Sequence, residues 1–396
     1  MDALKSTSSV HEINAEKPPF GSRFLTDQED VWSHNAWDHV PPPDDQGDLI
    51  AASITKQRAT PVSVAEKMKY NEKPAKYWDN FYKANAANFF RNRKWLHNEF
   101  NELVAATQPQ AGPMTIVEIG CGAGNSVFPL LSANKNSQLS LYAYDYSNHA
   151  VKLVQNNPLY QSPPLGSIQA SVWDVTSTDG LPPGIQPSTV DIVILVFVLS
   201  ALHPDEWHQA ITNIHQILKP NGLVMLRDYG RHDLTQLRFK SGRLLDDNFY
   251  IRGDKTRVYF FELDELALIF TGSKVAPTQT ITHTQMHAMD EGEDDSLRYE
   301  DLSSPGSSTP ADDTQTQAES QTLTSTPILG LTPYPNSSIH PNLLSPPTAS
   351  SPYPLFTIEQ LGVDRRLIVN RKRRLKMYRV WMQGKFRKNA SLSPPQ

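Results

Sequence analysis

The sequence has very little cysteine and no long apolar run. Its only cysteine among 396 residues is Cys121, which excludes an intramolecular disulfide and a cysteine-rich zinc site, so we expect no bound metal. The longest apolar run, at residues 192–199, has the length of a buried parallel strand. It is much shorter than the roughly 18 residues that a transmembrane helix needs. These absences argue against a disulfide-rich scaffold and against an integral membrane protein.

The first residues also lack an apolar stretch of the kind found in export signals. Asp2, Glu12 and Glu16 fall in this region, and acidic residues are rare in mitochondrial presequences. We therefore expect a cytoplasmic protein that does not act at a membrane.

Charge is distributed unevenly along the chain. The net charge is -5, yet residues 364–388 contain 11 Lys or Arg and one acidic residue, which gives this segment a charge of +10 and the remainder -15. A basic block on an acidic chain indicates an anionic partner, although a solvated run of charge has the same composition.

Composition divides the chain into three parts. Residues 1–64 are polar and proline-rich, which predicts a flexible N-terminal extension, and an aromatic island at 20–40 is expected to dock on the folded part. Ser, Thr or Pro fills 26 of the 50 positions from 301 to 350, too polar a composition to bury a core. We predict a disordered insertion over residues 273–354 and one folded domain over 65–272 and 355–390.

Hydrophobic periodicity predicts an α/β fold. Residues 64–106 are predicted to be helical, with aromatic side chains at i, i+3 and i+4 spacing. Beyond them the pattern predicts helices alternating with five strands, at 115–119, 139–144, 168–172, 190–198 and 223–227, and then a hairpin at 365–370 and 377–386. Alternating βαβ units form a doubly wound parallel sheet, whose ligands bind beyond the carboxyl ends of the strands.

A glycine-rich turn follows the first predicted strand. Glu118 precedes Gly120, Gly122 and Gly124, and Asp145 closes the next strand about 25 residues later. Glycine lets a backbone approach a ligand closely, and an acidic residue at the second strand end accepts hydrogen bonds from ribose hydroxyls. The spacing differs from a dinucleotide fingerprint and resembles motif I of class I S-adenosylmethionine (AdoMet) methyltransferases. Cys121, within the turn, is expected to pack as a small side chain.

Other candidate residues lie at the ends of later strands. Asp174 follows the third strand, where the resemblance to class I methyltransferases implies a carboxylate or amide against the adenine amino group, although an aspartate there can also cap a turn. Val196 ends the fourth strand and would line the cofactor pocket, or simply belong to the core. His203 and Asp228 follow the fourth and fifth strands, and His203 has either a catalytic or a structural role.

The chain resembles the tRNA N3-methylcytidine methyltransferases. The resemblance is carried by residues 77–82, 88–96, 118–131, 197–204, 227–230, 364–367 and 377–381. Residues 20–25 and 34–39 resemble the cytoplasmic branch that modifies threonine and serine tRNAs. The family implies a class I, Rossmann-like α/β fold with a seven-stranded, mostly parallel sheet, a C-terminal antiparallel hairpin and an N-terminal helical extension. One departure is Arg91-Asn92, where the family usually has Lys-Asp.

The resemblance implies a set of residues for each ligand. Those implied for AdoMet are Trp78, Tyr82, Gly120, Asp145, Asp174 and Val196; core packing is the alternative for the two aromatic residues. Substrate positioning is assigned to Asp228, Arg91 and Arg93. RNA contacts are assigned to Phe89, Phe90, Arg371, Lys372, Arg373, Arg374, Lys376 and Arg379.

The expected activity is transfer of a methyl group from AdoMet to N3 of cytidine 32 in the anticodon loop of threonine or serine tRNAs. N3 lies on the pairing edge, so the base must be unpaired or flipped. A tRNA synthetase or another RNA-binding protein is a possible helper. Two alternatives remain open from the sequence: a class I methyltransferase acting on a protein or small molecule, and a tRNA-binding module without catalysis.

Overall fold

The computed structural model describes residues 25, 28–38, 40, 46–93, 95–275, 281–282, 339–344 and 354–390. The strands are β1 (Ala36–Asp38), β2 (Met114–Ile119), β3 (Leu139–Asp145), β4 (Ser167–Val172), β5 (Val190–Val196), β6 (Leu218–Tyr229), β7 (Leu244–Asp246), β8 (Phe249–Ile251), β9 (Arg257–Tyr259), β10 (Ile281–Thr282), β11 (Phe356–Asn370) and β12 (Leu375–Lys388). The helices are α1 (Gln46–Arg58), α2 (Val64–Glu72), α3 (Pro74–Asn85), α4 (Leu96–Glu99), α5 (Asn101–Ala106), α6 (Val127–Ala133), α7 (Asn148–Gln155), α8 (Pro158–Gln161), α9 (Trp207–Ile217), α10 (Leu234–Leu237) and α11 (Leu263–Thr271).

One large sheet forms the centre of the described structure. Its order is β1-β11-β12-β6-β5-β2-β3-β4, and β10 also pairs with β11. The strands from β4 to β6 are parallel, while β12 and β11 continue the sheet as an antiparallel hairpin. These seven strands are the sheet that the sequence predicts. Two short strands, β1 and β10, extend it beyond the prediction, because strands of three and two residues have no recognisable periodicity.

Helices cover both faces of the sheet because its central strands are apolar on both sides. Trp207, Ile214 and Phe270 belong to the core on one face, and Leu103 and Val127 to the core on the other. Each fully buried side chain of this size stabilises the fold by ~1.5–3 kcal/mol. The carboxyl edge of the sheet is therefore a rigid support for the loops that follow its strands.

The chain changes direction across the sheet between β2 and β5. These two strands are hydrogen-bonded neighbours, yet β2 continues to β3 on one side and β5 to β6 on the other. A crevice opens at such a switch point, beyond the carboxyl ends of the strands. Gly120 follows β2 and Phe197 follows β5, so both lie at this crevice.

The segment predicted to be helical over residues 64–106 is four helices with a loop between α3 and α4. Pro74 occupies the first turn of α3, where its missing N–H costs nothing, and so separates α3 from α2. Ala86 has φ 49°, and residues 86–93 are not helical. This interruption places Phe90 and Arg93 on a loop above the crevice instead of on a helix face.

A second, three-stranded sheet of order β7-β8-β9 lies between β6 and α11 in the chain. The sequence pattern predicts no element here, since each of its strands has only three residues. Arg252 follows β8 directly, which makes this sheet a contributor to the site.

Part of the N-terminal extension, predicted to be flexible, is packed on the domain. Within it, α1 is fixed by Gln57 Nε2, which donates to the carbonyl of Gln236 at 2.8 Å. Trp37, in β1, is fully buried against Leu367, Val369 and Tyr378. Residues 20–24, 26, 27 and 39 of the aromatic island and most of the predicted insertion lie outside the described residues. Across the described chain, every helix is too short or too polar to cross a membrane.

Candidate active site

Two positions in the turn after β2, Gly120 and Gly122, favour glycine for steric reasons. Gly120 has φ 65°, and a Cβ atom there would lie 2.6 Å from Cγ2 of Val198. Gly122 has φ 53°, and its Cβ would lie 2.4 Å from the hydroxyl of Tyr82. At both positions the left-handed backbone strains any other residue, and an added Cβ would force Val198 or Tyr82 to move. The turn therefore approaches the wall of the crevice as closely as a backbone can.

Asp145 fixes the turn from the end of β3. Its Oδ2 accepts a hydrogen bond from the backbone N–H of Gly122 at 2.9 Å, and Oδ1 accepts one from Ser147 N–H at 2.8 Å. Burial raises the pKa of this carboxyl to about 6, although both hydrogen bonds act in the opposite direction. A carboxylate retains further lone pairs, so Asp145 can still accept from a ribose.

Glu118 joins the turn to the loop that carries Arg93. The carboxyl is buried, its Oε2 accepts from Val127 N–H at 3.1 Å, and its Oε1 lies 3.7 Å from Nη1 of Arg93. Arg93 Nη1 also donates to Ser126 Oγ at 3.2 Å. Burial raises the pKa of Glu118 to about 7, against the effect of Arg93. These contacts position the Arg93 guanidinium at the crevice.

The crevice holds a cavity that encloses about 790 Å³ of space, part of it open to solvent. All six residues assigned to AdoMet from the sequence line it: Trp78, Tyr82, Gly120, Asp145, Asp174 and Val196. Asp174 also accepts from Thr176 N–H at 2.9 Å, so its turn-capping and cavity-lining roles coexist. Trp78 and Tyr82 stack at 6.0 Å between ring centroids and present an aromatic wall.

The part of the cavity beyond β5 and β6 is aromatic and cationic. Its side chains are Phe90, Arg93, Phe197, Tyr229 and Arg252. The rings of Phe197 and Tyr229 lie 4.6 Å apart, and the guanidinium carbons of Arg93 and Arg252 lie 5.7 and 5.4 Å from these two rings, respectively. Phe197 has φ 60°, a strained backbone for a bulky residue and one that clusters at functional sites.

Three of the residues assigned to substrate or RNA before the hairpin lie off the cavity wall. Arg91 is exposed, and Phe89 is buried with its ring 4.9 Å from that of Phe81. Asp228 is buried behind the wall and accepts from the N–H groups of Ser200 at 3.1 Å and Tyr229 at 2.9 Å. Burial raises the pKa of Asp228 to about 6.

The basic hairpin separates into exposed and buried cations. The exposed ones surround its turn: Arg371, Lys372, Arg373, Arg374 and Lys376. Arg379 is instead buried, and its Nε donates to Oδ2 of Asp233 at 2.8 Å. The assignment of Arg379 to a phosphate is therefore corrected: its side chain is buried and its charge pairs with Asp233, the residue that precedes α10.

Trp32 lies against the exposed face of the hairpin. The guanidinium of Arg374 is 4.7 Å from its indole centroid, and the ammonium of Lys376 is 5.8 Å away. The N-terminal segment thus contributes an aromatic ring to the basic surface.

His203, the other candidate from the sequence, caps a turn by accepting from Asp205 N–H at 3.3 Å through Nδ1, which supports its structural role.

Sequence reasoning missed several residues of the cavity. Trp173, Phe197, Tyr229 and Arg252 line it, and none was assigned to a ligand. Phe197 and Tyr229 are each adjacent to an assigned residue at a strand end, which is a usable signal. Arg252 reaches the cavity only through the second sheet, and the sequence carries no sign of that route.

A parallel sheet with this order, a glycine turn after its first core strand and an acidic residue at each of the next two strand ends define a class I AdoMet-dependent methyltransferase. Residues 90–273 match the family model described as a methyltransferase domain. The expected fold, enzyme class and methyl donor are thereby confirmed.

Relatives define the family more closely. The chain is 39% identical to the tRNA N(3)-methylcytidine methyltransferase of Schizosaccharomyces pombe, over 97% of either sequence. It is 40% identical to the tRNA(Thr) (cytosine(32)-N(3))-methyltransferase of Saccharomyces cerevisiae, where the match covers 97% of this chain and 48% of that protein. The chain thus spans about half the length of the latter. Among solved structures, a SAM-dependent methyltransferase from Methanosarcina mazei is 14% identical over 74% of this chain and 99% of its own, with a TM-score of 0.39. The chain belongs to the tRNA N(3)-methylcytidine methyltransferase family.

Proposed function

We propose that this protein transfers the methyl group of AdoMet to N3 of a cytidine in tRNA, at position 32 of the anticodon loop of threonine or serine tRNAs. The observation that carries the proposal is one cavity with two parts. The residues assigned to AdoMet line one part, and an aromatic and cationic pocket continues from it over β5 and β6.

The reaction needs positioning more than acid or base catalysis. Cytidine N3 has an in-plane lone pair and attacks the sulfonium methyl carbon directly, while the carbon–sulfur bond breaks and its electron pair stays on sulfur. The cationic product then loses a proton from the exocyclic amine to solvent. Holding N3 in line with the sulfur–methyl bond therefore supplies most of the rate enhancement.

The aromatic part of the cavity suits a flipped pyrimidine. Phe90, Phe197 and Tyr229 offer ring faces for stacking, and Arg93 and Arg252 are donors for the O2 carbonyl of cytosine. Asp228 acts through its neighbours: by binding the N–H groups of Ser200 and Tyr229 it fixes two residues of the wall. We assign it as a positioning residue.

The exposed cations of the hairpin turn are proposed to contact tRNA phosphates. Five basic side chains surround a single turn, with Trp32 beside them. An aromatic ring among cations suits an unpaired nucleotide next to a phosphate backbone. Recruitment of a synthetase or another RNA-binding helper, and a cytoplasmic location, are part of the same proposal.

Mass spectrometry of nucleosides from in vitro reactions tests this function. Purified protein, AdoMet and a threonine tRNA transcript are expected to yield 3-methylcytidine, and a transcript with uridine at position 32 is expected to yield none. Equal methylation of both transcripts would exclude position 32 as the target. Absence of product from threonine and serine transcripts, with a synthetase present and with AdoMet bound, would contradict the proposal.

A further inference from the structure

A short segment near the end of the Ser/Thr/Pro-rich region is packed on the domain. In residues 339–344, Ile339 and His340 are only 7% and 9% exposed. Pro341–Leu343 forms a 3₁₀ turn that begins at His340, whose Nδ1 accepts from Asn342 N–H at 3.3 Å. A segment of this composition buries two residues only where a complementary surface receives them.

The receiving surface offers a buried hydrogen-bond acceptor. Oε1 of Glu265, on α11, accepts from the backbone N–H of His340 at 2.8 Å and from the hydroxyl of Tyr259 at 2.7 Å. Glu265 is fully buried, so departure of the segment would remove one partner from a carboxyl that solvent does not reach. The hydrogen bond from His340 to Glu265 is donated by the backbone, so it depends on the conformation of the segment as well as on its side chains.

Three side chains of the segment make further contacts. The His340 ring meets the rings of Trp207 and Tyr259 edge to face, with centroids 5.9 and 6.1 Å apart. Leu343 packs on the larger apolar core, and Nδ2 of Asn342 donates to the carboxylate of Asp205. The side chains of His340, Asn342 and Leu343 each contact a different part of the surface, which makes the docking specific for this sequence.

The same surface supports one wall of the AdoMet cavity. Nε1 of Trp207 donates to the carbonyl of Leu199 at 3.1 Å. Arg257 donates to the carbonyl of Ala201 at 3.2 Å and to Glu206, the neighbour of Asp205, at 3.1 Å. Residues 200–202 line the cavity, so Trp207 links the segment to the residue that precedes this part of the wall.

We propose that residues 339–344 are an intrachain docking motif. The groove formed by Asp205, Trp207, Tyr259 and Glu265 is a peptide-binding surface whose occupant is this segment. Its docking holds the wall at residues 199–202 in the shape that binds AdoMet. Neither part of the proposal depends on the identity of the methyl acceptor.

The experiment uses the full-length chain with residues 337–345 replaced by a Gly/Ser sequence of equal length. A fluorescein-labelled peptide of residues 336–347 is expected to bind this variant, measured by anisotropy, and not the intact chain, whose groove is occupied. A peptide with Leu343→Asp is expected not to bind. A peptide with Leu344→Asp, a position that is 52% exposed, is the matched control and is expected to bind.

AdoMet affinity is then measured by calorimetry. The replacement is expected to weaken it about five-fold or more, and a saturating amount of the peptide is expected to restore it. Absence of peptide binding to a variant with the wild-type circular dichroism spectrum would contradict the docking. Peptide binding with unchanged AdoMet affinity would overturn the link to the cavity wall. If the replaced chain does not fold, the full chain with Leu343→Asp serves for the same measurements.

Discussion

Asp79 and Ser147 join the aromatic wall of the cavity to the end of β3. Oδ1 of Asp79, on α3, accepts from Ser147 Oγ at 2.7 Å and from the backbone N–H of His149 at 3.1 Å. Trp78 and Tyr82 lie on the same helix, and Asp145 lies two residues before Ser147. One carboxylate thus sets the distance between the stacked rings and the acidic residue assigned to the ribose.

We expect Asp79→Ala to weaken AdoMet binding by about ten-fold, because α3 loses its hydrogen bonds to this turn, each worth roughly 0.5–1.5 kcal/mol. Calorimetric titration measures the effect. Asn80→Ala, at the neighbouring exposed position, is the control and should bind normally. Equal affinity in both variants would mean that α3 is held by packing alone.

AdoMet affinity is expected to fall as the pH drops below about 6. Burial raises the pKa of Asp145 to about 6 in the ligand-free protein, and ribose hydroxyls donate to the ionised form. Protonation therefore competes with binding, and affinity should decrease up to about ten-fold per pH unit below the pKa. Titrations between pH 5 and 8 test this. Asp145→Asn should bind more weakly and with a flatter pH profile; an unchanged slope would assign the effect to another group.

Arg252→Ala is expected to lower kcat/KM for tRNA by about 10- to 100-fold, since a donor to the flipped base is worth roughly 1–3 kcal/mol. The dissociation constant for AdoMet should stay within about two-fold, because the contact of Arg252 is with Tyr229 and not with a residue assigned to AdoMet. Lys255→Ala, an exposed cation in the same turn, provides the comparison. A large loss of AdoMet affinity in Arg252→Ala would place this residue in the cofactor half.

Charge reversal at Lys372 and Arg373 should weaken tRNA binding and reduce its salt dependence. Each phosphate contact contributes about 0.7–0.9 to the slope of log affinity against log salt concentration, so the double variant should lose up to ~1.8. Filter binding from 50 to 300 mM salt, about the range in which screening changes strongly, measures the slope. Arg379→Ala should destabilise the fold instead, because it leaves Asp233 buried without its cation. A slope unchanged by the reversal would remove the hairpin turn from the interface.

Loss of one partner in the buried Arg227–Asp364 pair is expected to destabilise the fold by ~3–5 kcal/mol. The Arg227 guanidinium lies 5.0 and 4.9 Å from the rings of Trp95 and Trp381 and pairs with Asp364 across β12. Urea unfolding of Asp364→Ala gives the free energy. Lys219→Ala, which breaks the more exposed pair with Asp191, should cost about 1 kcal/mol or less. Similar losses in the two variants would show that burial does not set the contribution of the pair.

Much of the fold could be predicted from local patterns. The five parallel strands follow from short apolar runs separated by helical segments, and the hairpin follows from two alternating runs after the polar insertion. The cofactor side of the cavity was predictable for the same reason, because Gly120, Asp145 and Asp174 each lie at or just beyond the carboxyl end of a strand whose position in the sheet is set by the α/β topology.

The acceptor side depends on contacts between distant parts of the chain. Arg252 reaches the cavity through a sheet of three-residue strands, and Trp32 reaches the hairpin through an added edge strand. The sequence also did not show which charged side chains are exposed to solvent. Arg227 and Arg379 lie in charged stretches of the sequence, yet both are buried in ion pairs. Which cation faces solvent depends on strand register and on where its partner lies.

The sequence alone identified AdoMet as the methyl donor. The glycine turn and the acidic residues at the strand ends can be recognised within short stretches of the chain. The sequence also determined, through its resemblance, the family to which the chain belongs. Only the tertiary structure decided which side chains form the aromatic and cationic part of the cavity. It also decided which segment packs against α11. Those outcomes depend on packing between residues separated by more than a hundred positions, such as Arg93 with Phe197 and Trp32 with Arg374. Local patterns in the sequence do not show which of these residues meet.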